Sequence, residues 1–159
     1  MKEITNIIIG IMMVCLFAGT TMAVDINALD QVSVLMTKSK VLSLLGMPDD
    51  VGKAGNGLEM DIYRVNDMSP MIGAGCIYED NQRLAGQAFI FQGEMDKETA
   101  ERLKKHGFVV MEEKKGTLSL LGKDDDNRQA IVVNIALNNG LTIVTTFEKG
   151  FYDRRVKQQ

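Results

Sequence analysis

The 159-residue chain has no tryptophan, only one histidine, His106, and only two cysteines, Cys15 and Cys76. Because Cys15 lies inside an expected export signal, we expect neither an intrachain disulfide nor a site built from several cysteine and histidine ligands. Charge is also nearly balanced, since 18 basic and 21 acidic residues give a formal net charge of −3. A chain without excess positive charge has no general attraction to the phosphate backbone of nucleic acid, so nucleic acid is not an expected partner.

What the chain does contain is typical of a globular protein: 45% of its residues are hydrophobic, 25% are charged and only two are proline. At its start, an uncharged apolar run over residues 7–19 follows Lys2 and leads to small residues that end at Ala23. This order predicts a signal peptide over residues 1–23, cut before Val24, and export to the periplasm or beyond the cell. The alternative is an uncleaved N-terminal anchor, which would then be the chain's only membrane contact. A spanning helix, however, needs about 20 apolar residues.

Two helices are predicted from capping residues and helical spacing of apolar side chains. Thr37 can cap the segment KSKVLSLL, which Gly46 ends, and Asp96 can cap a second helix that runs to His106 and ends at Gly107. Six further segments have the composition and alternation of strands, and Asn138-Asn139-Gly140 is a strong hairpin signal. The predicted strands are Leu58–Val65, Met71–Glu79, Leu84–Gln92, Thr117–Lys123, Arg128–Leu137 and Leu141–Glu148.

The order of these elements repeats. A shift of 59 residues lays Thr37 on Asp96 and Leu44 on Leu103, and it aligns a helix and three strands in each half. We therefore expect an α+β fold of two αβββ units in tandem, over residues 24–93 and 94–159, with an antiparallel meander sheet and helices packed on one face. In the second unit, Ile131, Val133 and Ile135 should face Leu103.

The segment MTKSKVLSLLGMPD over residues 36–49 resembles the SmpA/OmlA (BamE-like) family. In that family a "GMTK..V..LLG.P" helix precedes a small antiparallel sheet, whose first strand carries an aromatic residue near the position of Tyr63. The resemblance covers residues 35–92. It implies a small exported module that acts by binding, as the outer-membrane assembly lipoprotein does, or as the related tandem fold of the β-lactamase inhibitor proteins does.

Few residues suggest catalysis. His106 lies in the last turn of a helix, where a cation is favoured, and Cys76 lies in an apolar run that suggests a buried thiol. A Cys76–His106 dyad would lack a third, orienting group. The run Asp124-Asp125-Asp126-Asn127 does not continue as a calcium loop, because Gln129 and Ile135 stand where glycine and glutamate are required. We therefore expect no catalytic, metal-binding or cofactor-binding residue, and no cofactor.

The sequence instead favours a protein-binding module that is not an enzyme, within the bacterial cell envelope and linked, as the resemblance implies, to outer-membrane assembly or integrity. Its partner would be an unidentified envelope protein, bound through a sheet face or through the loops at 66–70 and 124–127. An exported enzyme or a small-ligand carrier that uses carboxylates is the alternative. The expected contact residues are aromatic on one strand, acidic at a hairpin tip and basic in the tail: Phe89, Phe91, Asp124, Asp125, Arg154 and Arg155.

Overall fold

The computed structural model describes residues 23–54, 57–65, 70–114 and 116–157. Nearly all of the expected signal peptide, and the loop at 66–70 apart from Pro70, lie outside the described residues. Among the helices of the described ranges, none is long and apolar enough to cross a membrane.

The described chain builds one eight-stranded sheet in which every neighbouring pair of strands is antiparallel. In space the strands follow the order β1-β2-β3-β4-β8-β7-β6-β5. Their bounds are β1 Asp50–Lys53, β2 Glu59–Arg64, β3 Met71–Tyr78, β4 Leu84–Gln92, β5 Val109–Lys114, β6 Thr117–Lys123, β7 Ala130–Asn138 and β8 Leu141–Glu148.

The helices are short. They are α1 Ile26–Leu29, α2 Lys38–Leu45, α3 Asp96–Lys105 and α4 Lys149–Phe151, and a π-helical turn over Tyr152–Val156 follows the last of them. After β4 the chain passes through α3 to the far edge of the sheet, forms β5 there, and returns strand by strand until β8 pairs with β4. The two edge strands are therefore β1 and β5.

The predicted fold class was wrong. The structure is 48% strand and 23% helix, and the strands form one continuous sheet in place of two αβββ units under a helical layer. Each half of the chain adds a fourth strand, β1 or β5, that sequence patterning missed. The segments DVGK and VVMEEK do not alternate between apolar and polar residues, so their strand structure comes from pairing with a neighbour and not from local pattern.

The predicted strands themselves are confirmed, because all six occur and their ends differ from expectation by two residues at most. The hairpin at 138–140 is also confirmed, since Asn139 and Gly140 have φ angles of 51° and 76°. A two-residue turn with positive φ at both positions matches the twist of the strands it joins.

One of the two predicted helix caps is confirmed by the structure, and the other is not. The Thr37 hydroxyl accepts a hydrogen bond from the Lys40 amide at 3.3 Å, as an N-cap should. The prediction of Asp96 as a cap was wrong: Met95 is the N-cap, without a side-chain cap bond. The Met95 amide donates instead to the Thr142 hydroxyl at 2.7 Å, so the start of α3 is fixed by a strand and not by its own sequence.

The core divides between the two faces of the sheet, because successive side chains of a strand point to opposite sides. One face carries two apolar clusters. In the first, α1 and α2 pack on β2 and β3, for example through Val41 on Tyr63. In the second, Ala100 and Leu103 of α3 pack with Ile131, Val133 and Ile135, which confirms the expected contact.

The opposite face carries a third apolar cluster. Met60, Ile77, Val132 and Phe147 form it together with aromatic side chains of the C-terminal segment. The ring centroids of Phe147 and Phe151 are 5.8 Å apart and the rings are stacked. The C-terminal segment is thus part of the fold.

Candidate functional site

Strand β5 lies at one end of the sheet and is paired on one side only. Its partner is β6, from Val109 opposite Leu121 to Lys114 opposite Thr117, with a bulge between Val110 and Glu112. In the described ranges no strand pairs with the other side of β5. An edge of this kind presents backbone N–H and C=O groups that an incoming strand can bind.

The first half of β5 carries none of the charged side chains that usually protect an edge strand. All six residues of the strand are exposed, and the first three are apolar: Val109 is 66% exposed, Val110 46% and Met111 38%. Soluble proteins commonly protect an edge by making it very short or charged, and the other edge strand, β1, has only four residues. The exposed apolar half of β5 is therefore the strongest candidate for a binding surface.

The second half of β5 is charged, with Glu112 and Glu113 followed by Lys114. Glu112 has a partner in its own strand, because Lys114 Nζ lies 4.0 Å from Glu112 Oε1. Glu113 is opposite Leu118 and so points to the other face of the sheet from Glu112, which is opposite Ser119. The edge therefore runs from an apolar end to a charged end, where the two carboxylates point to opposite faces of the sheet.

A charged cluster joins the first residue of α2 to β2, far along the sheet from β5. Asp61 of β2 is fully buried, and Lys38 donates to its Oδ1 at 2.9 Å. The same ammonium group also binds Glu59 and lies 4.9 Å from the ring centroid of Tyr78. Burial alone would lower the pKa of Lys38, but its hydrogen bonds to Glu59 and Asp61 outweigh that effect and raise the pKa above 10.5.

Cys76 lies directly opposite Asp61 in the pairing of β2 with β3. Burial, and then the negative charge of Asp61, raise the pKa of the Cys76 thiol to about 12. Burial also raises the pKa of Tyr63 and of Tyr78. These groups stay protonated at neutral pH, so the cluster does not contain an activated nucleophile. Its evident role is to attach α2 to the sheet.

His106 is exposed at the end of α3, and its Nδ1 lies 2.9 Å from the Arg102 carbonyl oxygen. Among the described residues no hydrogen bond or ion pair joins His106 to Cys76. In the same ranges no three histidine, cysteine or acidic side chains are grouped so that they could hold a metal ion.

The expected aromatic contact residues, Phe89 and Phe91, share one face of β4, opposite Val144 and Thr142 of β8. Both are half-buried and pack against the cluster that includes Ala100 of α3. The side of the sheet on which they lie is therefore the side that carries α1, α2 and α3.

The acidic tip at 124–127 is tied to the first half of the chain. The Ser33 hydroxyl donates to Asp126 Oδ2 at 2.8 Å, and Asn127 Nδ2 donates to the Val34 carbonyl at 2.7 Å. Asp124 accepts from two amides within its own turn, at 3.0 and 3.2 Å. Asp125 is exposed.

The two expected basic contact residues lie beside the C-terminal end of β3. Arg154 Nη2 is 3.4 Å from Glu79 Oε1. Arg155 is exposed and, with Glu79, Asp80 and Phe151, helps to line a cavity of about 150 Å³. The six residues predicted from the sequence thus lie at three separate places and do not form one surface.

Sequence reasoning missed β5 itself. A signal was present, because an aromatic residue and two β-branched residues, Phe108, Val109 and Val110, follow Gly107 at the end of α3. The comparisons provide no further guide: no protein family, curated protein or solved structure matches this chain.

Proposed function

We propose that this chain is an exported, non-enzymatic protein-binding module of the bacterial cell envelope that binds its partner through β5. One observation carries the proposal: all six residues of an edge strand at the end of the sheet are exposed, and the first three are apolar. Export is proposed from the signal-like segment at 1–23. The envelope setting, with a link to outer-membrane assembly or integrity, is proposed from the SmpA/OmlA resemblance of residues 35–92.

Strand addition does not require a deep pocket in the protein that binds. Backbone hydrogen bonds supply the affinity, and side chains on both faces of the edge supply specificity. An enzyme, by contrast, needs a nucleophile or base with a suitable pKa near a cleft. Cys76 is buried with a raised pKa, and His106 is engaged at the end of its helix. Both observations argue against catalysis by a Cys76–His106 dyad.

The test is affinity capture from envelope extract with two matched variants of the protein. Val109→Lys places a charge on β5, and Val51→Lys places the same charge on an exposed valine of the opposite edge strand. We expect wild type and Val51→Lys to retain the same partner and Val109→Lys to lose it. Equal retention by both variants, or no specific partner for wild type, would contradict the proposal.

Export has its own test. The Val24 nitrogen lies 2.9 Å from the Arg64 carbonyl oxygen, and the ammonium group that cleavage before Val24 would create there can still donate to it. N-terminal sequencing of the protein from its native cell should therefore start at Val24. A start at Met1 would favour the uncleaved anchor.

A further inference from the structure

We propose that β5 binds an extended, antiparallel segment of its partner in which two consecutive basic residues precede three apolar ones. This inference rests on the proposed function, and it adds the chemistry of the partner. It follows from the order of side chains along the free edge: apolar at Val109, Val110 and Met111, then acidic at Glu112 and Glu113, before the final Lys114.

Direction determines the order of the partner's residues. Every strand pair in the described sheet is antiparallel, and an added antiparallel strand continues the same hydrogen-bond pattern. Its first residues would lie beside the acidic end of β5, and its later residues beside Val109 and Val110. Basic residues must then come before apolar ones in the partner's sequence.

Charge explains why two basic residues are expected. Glu113 has no ion-pair partner within the described chain, and Glu112 has only Lys114, at 4.0 Å. The two carboxylates point to opposite faces, so one cation on each face can reach them. Consecutive residues of a strand also point to opposite faces, and two adjacent basic residues therefore match this pair.

A second copy of the same chain fits the edge less well. If two β5 strands paired antiparallel about the strand centre, Met111 would lie opposite Glu112 and Val110 opposite Glu113. Each acidic pair would then face apolar side chains, and neither carboxylate would gain a cation. In this central register, the charge pattern favours a different protein over self-association.

The apolar residues of β5 would supply the hydrophobic part of the binding free energy. Three exposed apolar side chains lie at one end of β5, and the last of them, Met111, is the bulge residue that precedes the acidic pair. An incoming strand would cover them on both faces and remove their apolar surface from water. The acidic pair would then select among apolar strands by charge.

The experiment measures the affinity of two labelled peptides for the purified exported protein by fluorescence polarisation. One peptide, TKRVIVT, has the proposed pattern, and the other, TEEVIVT, reverses the charges. Wild type should prefer the basic peptide by about tenfold, the effect of two favourable cross-strand charge pairs. The double variant Glu112→Lys/Glu113→Lys should reverse the preference. Both side chains are exposed, so the variant should fold normally.

Two controls identify the edge. Asp50→Lys adds a positive charge to β1 and should leave the preference unchanged, whereas N-methylation of alternate amides of the basic peptide should abolish binding through loss of backbone hydrogen bonds. Equal affinity for both peptides, or a preference that survives the double reversal, would overturn the inference. So would a concentration-dependent dimer of the protein that Val109→Lys disperses.

The two proposals can fail separately. If Val109→Lys loses a captured envelope protein while the two peptides bind equally, β5 is a binding edge but the partner's charge pattern is wrong. If no partner depends on β5, the proposed function itself is wrong.

Discussion

At the residue scale, the ion pair between Lys38 and buried Asp61 should contribute strongly to the free energy of unfolding. Asp61 is fully buried, and Lys38 is its ion-pair partner. Lys38→Met would leave an unpaired charge in the core, so the free energy of unfolding should fall by about 3–5 kcal/mol. Glu59 binds the same lysine but is 44% exposed, so Glu59→Gln should cost about 1 kcal/mol or less. Urea unfolding of both variants measures this, and equal losses would refute a special role for Asp61.

The same cluster predicts a loss of stability in alkali. Cys76 ordinarily has a pKa of 9.0 but about 12 when folded, and the pKa values of Tyr63 and Tyr78 are also raised. Above pH 9 the unfolded chain therefore releases protons that the folded chain keeps, and stability falls as pH rises. Lys38 acts in the same direction, because its ion pair is lost when pH passes its raised pKa.

Thermal unfolding between pH 7 and 11 checks the alkaline prediction. The melting temperature should be level below pH 9 and then fall, and Cys76→Ala should move the onset toward pH 10, the ordinary pKa of tyrosine. A melting temperature that is unchanged to pH 11 would show that these groups are not protected from ionisation by the fold.

At the scale of elements, apolar alternation was enough to locate the interior strands but not the edges. One face of β7 is buried through Ile131, Val133 and Ile135. The alternation of these apolar residues along the sequence predicts the strand. Strands β1 and β5 bury little, so they carry no such pattern. The prediction of Asp96 as the helix cap was wrong because a tertiary contact, the hydrogen bond from the Met95 amide to the Thr142 hydroxyl, fixes the start of α3.

Burial of β6 against α3 leads to a packing prediction. Leu120 is fully buried among Ile131, Val133 and Ala100, and Leu120→Ala should cost about 2–5 kcal/mol through lost contacts and a residual cavity. Leu137 of β7 is 41% exposed and provides the matched control, where the same truncation should cost about 1 kcal/mol or less. Chemical denaturation of the two variants compares them. Similar losses would mean that the assigned faces of these strands are wrong.

The 124–127 turn, expected from the sequence to contact a partner, joins the two halves of this chain. Asn127→Ala removes the hydrogen bond to the Val34 carbonyl and should cost about 1 kcal/mol, whereas Asp125→Ala, in the same turn, should cost nothing measurable. Partner capture should be unaffected by either variant. A stability loss at Asp125 that equals the loss at Asn127 would contradict this role of the turn.

At the scale of the whole molecule, the sequence predicted strands and a local repeat, but not that the strands join into one sheet. The two halves of the sheet are connected by the pairing of β4 with β8. These strands are separated by some fifty residues of chain, and no local sequence pattern specifies such a contact. The same limit applies to the candidate site. Phe89, Asp124 and Arg154 were chosen for their residue types, whereas β5 matters because of where the topology places it.

Hydrogen exchange measured by mass spectrometry tests the central claim, that β5 is the binding edge, most directly. In the free protein, amides of residues 109–114 should exchange faster than those of β4 and β8, which are paired on both sides. Saturating amounts of the captured partner should slow exchange at 109–114 and leave residues 50–53 of the other edge unchanged. Protection that appears elsewhere in the sheet while 109–114 continue to exchange as in the free protein would contradict the account.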